Sequence, residues 1–261
     1  MRVAILYICT GKYNQFFEGF YRSCEKYFMP GVDKEYFVFT DDMELCNSEN
    51  VHLYYKVCEG FPKDSLFKFR MFLSIESELR DFDWMMYLNS NAEFRSVVTP
   101  EEYLPQDGNE LFGAVWPGKT RPIHHPMFFP YERNKESHAY IAPGDKEYLY
   151  YMGGANGGTA RAYLEMIRIL ANNIEEDYAK GIIACFHDES HINKYFHQHK
   201  PYVLSAPYCW PEEWSSDFAP KMVFRDKVRL DKYFDKGRKH SLFAKAYKLG
   251  KLLSKGVKWY L

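Results

Sequence analysis

The sequence predicts an α/β fold, a mostly parallel sheet flanked by helices, and three observations carry that expectation. Strand-like and helix-like stretches alternate along residues 2–88, the strands are short apolar runs, and polar turns follow their carboxyl ends. Arg2–Thr10 is a nearly unbroken apolar run closing on Cys-Thr-Gly-Lys-Tyr, which reads as a buried first strand and a loop. Asn14–Phe28 places Phe16, Phe17, Phe20, Tyr21, Cys24 and Tyr27 at helical spacing, and Pro30-Gly31 ends it. Tyr36–Thr40 and Val51–Val57 are the next two strands. Pro62–Arg80 is expected as one helix with Leu66, Phe69, Phe72 and Leu73 on one side. Trp84–Leu88 is a short apolar strand that stops at Asn89-Ser90-Asn91. Residues 116–158 read as aromatic, Pro- and Gly-rich loops. A helix over 160–179, another over Asp188–His197 and a strand at Met222–Arg225 follow.

Length and composition set bounds on this reading. A chain of 261 residues with 46% hydrophobic residues suits one large domain, or a domain with an appendage, and excludes wholesale disorder. The aromatic share of 18% is high; aromatic rings fill cores and also stack on sugars and bases. The start enters a strand pattern directly, so no secretory signal is expected, and no apolar run reaches membrane-spanning length. Six cysteines without a CxxC pair read as reduced thiols of a cytoplasmic protein. Charge is unevenly distributed. Residues 221–261 hold 13 Lys/Arg against 3 Asp, so the first 220 residues are acidic although the whole chain sums to −1.

Ligands of mostly parallel sheets bind beyond the carboxyl ends of the strands, which singles out the loops around Thr10–Tyr13 and after Leu88. In the second loop, Asn89 and Asn91 stand one residue apart. Paired aspartates in such a place hold a divalent cation on a diphosphate; amides bind cations weakly but donate to phosphate oxygens. Asp81-Phe-Asp83 precedes its strand and lies at the wrong end for that role. Asp188, Glu189 and Ser190 open a helix, where acids complement the dipole; a carboxylate that stabilises a glycosyl cation is the alternative role. His187 and His191 are four apart but lack the H-E-x-x-H order of a zinc site, so capping or packing is expected. Tyr150-Tyr-Met-Gly-Gly-Ala-Asn-Gly-Gly158 implies backbone in close approach to something, or a flexible loop. It matches neither G-x-G-x-x-G nor a Walker loop.

These segments, in this order, resemble glycosyltransferase family 6, which includes the blood-group ABO transferases and shorter bacterial relatives. Pro130-Tyr-Glu-Arg-Asn-Lys-Glu-Ser-His-Ala-Tyr-Ile141 is similar to the family's T-Y-E-R-R…A-Y-I-P string. Tyr150–Gly154 with Gly157-Gly158 resembles its donor-sugar loop, and His187–Tyr195 resembles W-H-D-E-S-H-L-N-K-Y without its Trp.

The resemblance spans roughly residues 2–227 and implies a GT-A fold and retaining transfer, in α-1,3 linkage, from a UDP-sugar. It implies a catalytic domain over 1–227, with 1–95 mainly UDP-binding and 96–227 mainly for donor sugar and acceptor. A basic tail, 228–261, lies outside. By the same resemblance Tyr13 stacks on uracil, and Asn89 and Asn91 replace the animal members' D-x-D, as in bacterial members that work without metal. Met152, Gly153 and Gly154 form the donor-specificity triplet, Asp188 holds sugar hydroxyls, Glu189 lies below the anomeric carbon, and Lys227 contacts the diphosphate. Trp116, Phe186 and His187 are expected at the acceptor site. No metal or other cofactor is expected.

By the same resemblance UDP-GalNAc is favoured over UDP-Gal, because Gly154 corresponds to the position where a small residue leaves room for an acetamido group, while Met152 resembles the galactose-preferring blood-group form. The acceptor is expected to be a terminal galactoside on an oligosaccharide or glycolipid, and no nucleic-acid partner is expected. Other classes would be a non-catalytic sugar-binding homologue, or a glycoside hydrolase needing a second carboxylate. In the tail, Leu242, Ala246, Leu249, Leu253 and Val257 share one helical face, opposite Lys245, Lys248, Lys251, Lys255 and Lys258. With Trp259 and Tyr260, that pattern suits a peripheral contact with an anionic membrane, or a basic helix packed on the acidic domain.

Overall fold

A computed structural model describes residues 1–119, 126–144, 148–235, 250, 254 and 256–260. The alternation seen in the sequence becomes β1 (Arg2–Cys9), α1 (Phe17–Tyr27), β2 (Asp33–Thr40), β3 (Val51–Tyr55), α2 (Lys63–Leu66), α3 (Lys68–Leu73), α4 (Glu76–Leu79) and β4 (Trp84–Leu88). After these come β5 (Ala92–Phe94), α5 (Pro100–Tyr103), β6 (Leu111–Val115), β7 (Tyr151–Thr159), α6 (Ala160–Ala179) and α7 (His187–His199). The remaining elements are β8 (Tyr202–Leu204), β9 (Trp210–Pro211), β10 (Met222–Phe224) and α8 (Lys227–Leu230).

Seven strands form one sheet in the order β3-β2-β1-β4-β7-β6-β8, and β5-β10-β9 form a small second sheet. Strands β3, β2, β1 and β4 run parallel, whereas β7 is antiparallel to both its neighbours. Because strand side chains alternate in direction, β1 feeds two cores at once. Val3, Ile5, Tyr7 and Cys9 pack with α1 on one face, and Ala4, Leu6 and Ile8 pack with α3 and α6 on the other. The architecture is a large mostly parallel sheet covered by helices, as the α/β expectation has it.

Two expectations change. The helix over 62–80 is three short helices, with breaks at Phe67 (φ −97°, ψ 17°) and Ile75 (φ −118°, ψ 21°). No Pro or Gly dictates those breaks; at the first, the buried contacts of Lys68, described below, override local propensity. The Gly-rich stretch placed among loops is instead the sheet strand β7. Its glycines answer close backbone approach: a Cβ on Gly157 would lie 2.4 Å from Met85 O. No side chain fits between β7 and β4 there.

Among the described residues no helix is long and apolar enough to cross a membrane. None of the six cysteines is in a disulfide, and burial pushes the Cys9 and Cys209 thiols up to about 12. Of the tail pattern, Leu242, Lys245, Ala246, Lys248, Leu249, Lys251, Leu253 and Lys255 lie outside the described residues. Trp259 does not face outward as a membrane-interface residue would. It is 6% exposed, with Nε1 donating to Ile141 O at 2.7 Å. Packing also continues past residue 227, since Phe234 meets the Tyr13 ring at 4.9 Å and Lys12 pairs with Asp231 at 3.4 Å.

Candidate active site

Two adjoining cavities open where the parallel strands end. The first, about 320 Å³, lies over the loop after β1 and is lined by Tyr13, Lys227 and Phe234, among others. That loop is held by Asp41, which follows β2: its carboxylate accepts from Gly11 N at 2.9 Å and Asn14 Nδ2 at 2.8 Å. Tyr13 thereby presents its ring at the cavity, with Lys227 Nζ 4.7 Å above the ring centroid. The second cavity, about 370 Å³, is floored by Gly153 and Gly154 of β7 and walled by His187, Asp188 and Glu189 at the start of α7. Tyr87 and Asn89 line both. The two therefore form one cleft.

The second cavity is held together by a dense set of polar contacts. Glu189 Oε1 accepts from Tyr150 OH at 2.5 Å and Oε2 from Gly153 N at 2.7 Å, which fixes both oxygens. Burial raises the Glu189 carboxyl above the usual range; the bonds from Tyr150 and Gly153 and the charge of Lys68 oppose that rise, and neighbouring Asp188 adds to it. Asp188 Oδ2 meets Lys68 Nζ at 2.6 Å, and the same ammonium donates to Gly153 O at 3.0 Å. Lys68 also sits 4.1 Å over the Tyr87 ring. Asn193, one turn along α7, donates to Tyr151 O and Glu189 O and accepts from Tyr151 N, pinning the helix to β7. A Cβ on Gly153 would approach Asp188 Oδ2 and Glu189 Cβ to 3.1 Å, so a side chain here would push both acids back from their positions.

His187 begins α7 with φ 51°, an uncommon left-handed conformation for a non-glycine residue. This turn directs the adjoining acids into the cleft. Its ring stacks edge-on to Phe61 at 4.7 Å, and burial lowers the imidazole below its usual range.

The structure brings most of the expected site residues together. Tyr13, Asn89, Gly153, Gly154, Asp188, Glu189, Lys227, Phe186 and His187 all line the cleft. Asn91 lines neither cavity. Its Oδ1 accepts from Asn89 Nδ2 at 2.8 Å and its Nδ2 donates to Arg225 O at 2.7 Å, while its carbonyl accepts from Arg225 N. The residue thus fixes Asn89 and suspends the turn that carries Lys227. Met152 is buried in the core behind Gly154, and Trp116 packs against Trp214 at 6.0 Å; neither lines the cleft. Asp83 lies at the opposite end of β4, where Oδ2 accepts from Arg2 N. His191 is buried 3.7 Å from Asp177, consistent with a packing role, and is driven down to about 4 by burial. Among the described residues no group of three His, Cys, Asp or Glu is placed to hold a metal ion.

Sequence reasoning missed Lys68, and gave Tyr150 and Asn193 no role. The signal for Lys68 was a lone lysine inside the apolar string Leu-Phe-Lys-Phe-Arg-Met-Phe-Leu.

Residues 66–232 match the model of glycosyltransferase family 6, a span that includes Lys68, β7 and the start of α7. The chain is 34% identical over 235 residues to the O-antigen biosynthesis glycosyltransferase WbnI of Escherichia coli, covering 89% of this chain and 98% of that protein. It is 28% identical to globoside alpha-1,3-N-acetylgalactosaminyltransferase 1 of Gallus gallus and 32% identical to histo-blood group ABO system transferase 2 of Rattus norvegicus. In each case 81% of this chain is covered. The chain spans 62% and 64% of those two animal proteins. The site is that of a glycosyltransferase, acting between a nucleotide-sugar donor and a glycan acceptor. The chain belongs to glycosyltransferase family 6.

Proposed function

We propose that this protein transfers GalNAc, or secondarily Gal, from a UDP-sugar to a terminal galactoside in α-1,3 linkage, with retention and without a metal ion. The observation that supports this most is the placement of Glu189. Its carboxylate is held at both oxygens against β7, in a sugar-sized cavity continuous with the one around Tyr13 and Lys227. In this reading uracil lies on Tyr13 and the diphosphate between Lys227 and Asn89. The sugar rests on Gly153 and Gly154, with its hydroxyls on Asp188.

Breaking the bond from the anomeric carbon to the diphosphate puts negative charge on UDP and positive charge on the sugar. Lys227 and the Asn89 amide face the first, taking the role a cation plays beside paired aspartates; Glu189 faces the second. Glu189 acts by forming a bond to the anomeric carbon, or by charge alone while the acceptor hydroxyl attacks from the departing side. Gly154 lines the donor cavity with no side chain of its own, which supports room for an acetamido group. The relatives are named for O-antigen biosynthesis, for globoside alpha-1,3-N-acetylgalactosaminyl transfer and for the histo-blood group ABO system, which supports a glycan acceptor and the donor and linkage proposed here. Turnover of UDP-GalNAc and UDP-Gal against a panel of galactosides tests the reading. Hydrolysis alone, or sugar binding without turnover, contradicts it.

The same proposal places the protein in the cytoplasm, with its lysine-rich tail resting on anionic lipid at roughly 1 kcal/mol per lysine. With Trp259 turned inward, charge has to carry that contact. Sedimentation with anionic vesicles that persists in high salt, or that is missing in low salt, contradicts it.

A further inference from the structure

We propose that the C-terminal turn Gly256–Tyr260 completes the acceptor site, walling a subsite for a sugar ring beyond the one that is attacked. The proposal rests on the transferase reading above. It concerns residues past the family match, which ends at 232.

A third cavity, about 580 Å³, borders the Glu189 cavity and shares Cys185 and Phe186 with it. Lys258, Trp259 and Tyr260 form one part of its wall, and Phe129–Lys135 with Tyr140 and Pro143 form most of the remainder. The turn is built into place. A Cβ on Gly256 would come 2.9 Å from Met127 O, so the chain passes flush against that strip. Trp259 donates to Ile141 O and packs its ring 5.5 Å from Tyr148. Its indole also covers the Arg133 guanidinium at 5.2 Å. Arg133 Nε and Nη1 are buried without hydrogen-bond partners, and an aromatic face is what compensates such a cation.

The occupant follows from the chemistry of the walls and from where the cavity leads. Tyr140 and Tyr260 offer aromatic faces suited to the C–H face of a pyranose, and Asn134 and Lys258 supply donors at the rim for its hydroxyls. An acceptor whose terminal sugar sits at Glu189 would run its next ring past Phe186 into this space.

The test compares kcat/KM for a methyl β-galactoside with that for di- and trisaccharides ending in the same sugar. The full chain is expected to favour the longer acceptors. The oligosaccharide-to-monosaccharide ratio should fall at least tenfold in Tyr260→Ala, a half-exposed position whose loss spares the core, and in Trp259→Ala. Trp259→Phe should restore part of it. An unchanged ratio in Tyr260→Ala overturns the subsite even if overall activity drops, because a merely structural wall lowers both substrates alike. Calorimetric titration of the full chain with the same saccharides, without donor, reads the subsite independently of turnover; affinity that does not rise with acceptor length also overturns it. Absence of any transfer, even to the monosaccharide, would instead count against the transferase reading.

Discussion

Lys68 Nζ and Asp188 Oδ2 form an ion pair of 2.6 Å with both residues nearly sealed from water, at 2% and 7% exposure. Two charges are kept at such a place only when each satisfies the other and further hydrogen bonds complete the set, as Gly153 O does here. The pair ties the break between α2 and α3 to the start of α7, beside the proposed reaction centre.

Removing the cation should therefore harm both fold and function. Lys68→Met leaves Asp188 buried and unpaired, a loss of about 3–5 kcal/mol, seen as a lower denaturation midpoint. Lys68→Arg should recover part of both stability and transfer. A Lys68→Met protein as stable and active as the original contradicts the pairing.

Glu189 behaves differently because its ionised form is unfavourable in the fold. A carboxyl raised above its unfolded value contributes stability at low pH that is lost as pH rises through the raised value. Glu189→Gln should thus be no less stable than the original at pH 8, while kcat falls on the order of a thousandfold and UDP affinity stays similar. Transfer by the unmodified protein should decline on acidification at a pH above the ordinary carboxylate range, since the charged form is needed. A mutant keeping a tenth of kcat would reduce Glu189 to a helix-start acid.

The absence of carboxylates at Asn89 and Asn91 predicts transfer that survives millimolar EDTA. Asn91→Asp should be the more disruptive single change at this pair, because its amide donates to Arg225 O, which a carboxylate cannot do. Activity that disappears in chelator and returns with Mn²⁺ contradicts this assignment.

Gly154→Ala places a methyl 3.1 Å from Asn89 Cβ and 3.2 Å from Phe224, on the core side of the cavity floor, so it presses on Asn89, which lines both cavities. One methyl in a tight pocket is worth roughly 1–3 kcal/mol, and the GalNAc/Gal ratio of kcat/KM should fall about tenfold. An unaltered ratio removes Gly154 from donor selection.

Much of this was legible in the sequence because local pattern and tertiary structure agree. Strand β4, Trp84–Leu88, and helix α6, Ala160–Ala179, fall where apolar runs and spacing put them. What escaped was set by contacts distant in sequence. Lys68 looks like a surface lysine on an amphipathic helix until Asp188, 120 positions on, reaches it. Tyr151–Thr159 reads as loop because glycines usually weaken strands, yet here they admit β4 and β6 at distances no side chain allows. Asn91 looks like a twin of Asn89, but the turn after β4 and the bond to the Arg225 backbone hold it inward. Trp259 suits a membrane interface by its flanking residues, and only the buried, unpartnered Arg133 nitrogens show what its ring covers.

The most direct test of the central claim is the anomeric configuration of the product. Metal-free protein is incubated with α-linked UDP-GalNAc or UDP-Gal and a β-galactoside, and the new linkage is read by NMR. The account predicts an α-1,3 bond, formed by the unmodified protein and lost with Glu189→Gln. A β bond, or an α bond made equally well without the Glu189 carboxylate, would contradict it.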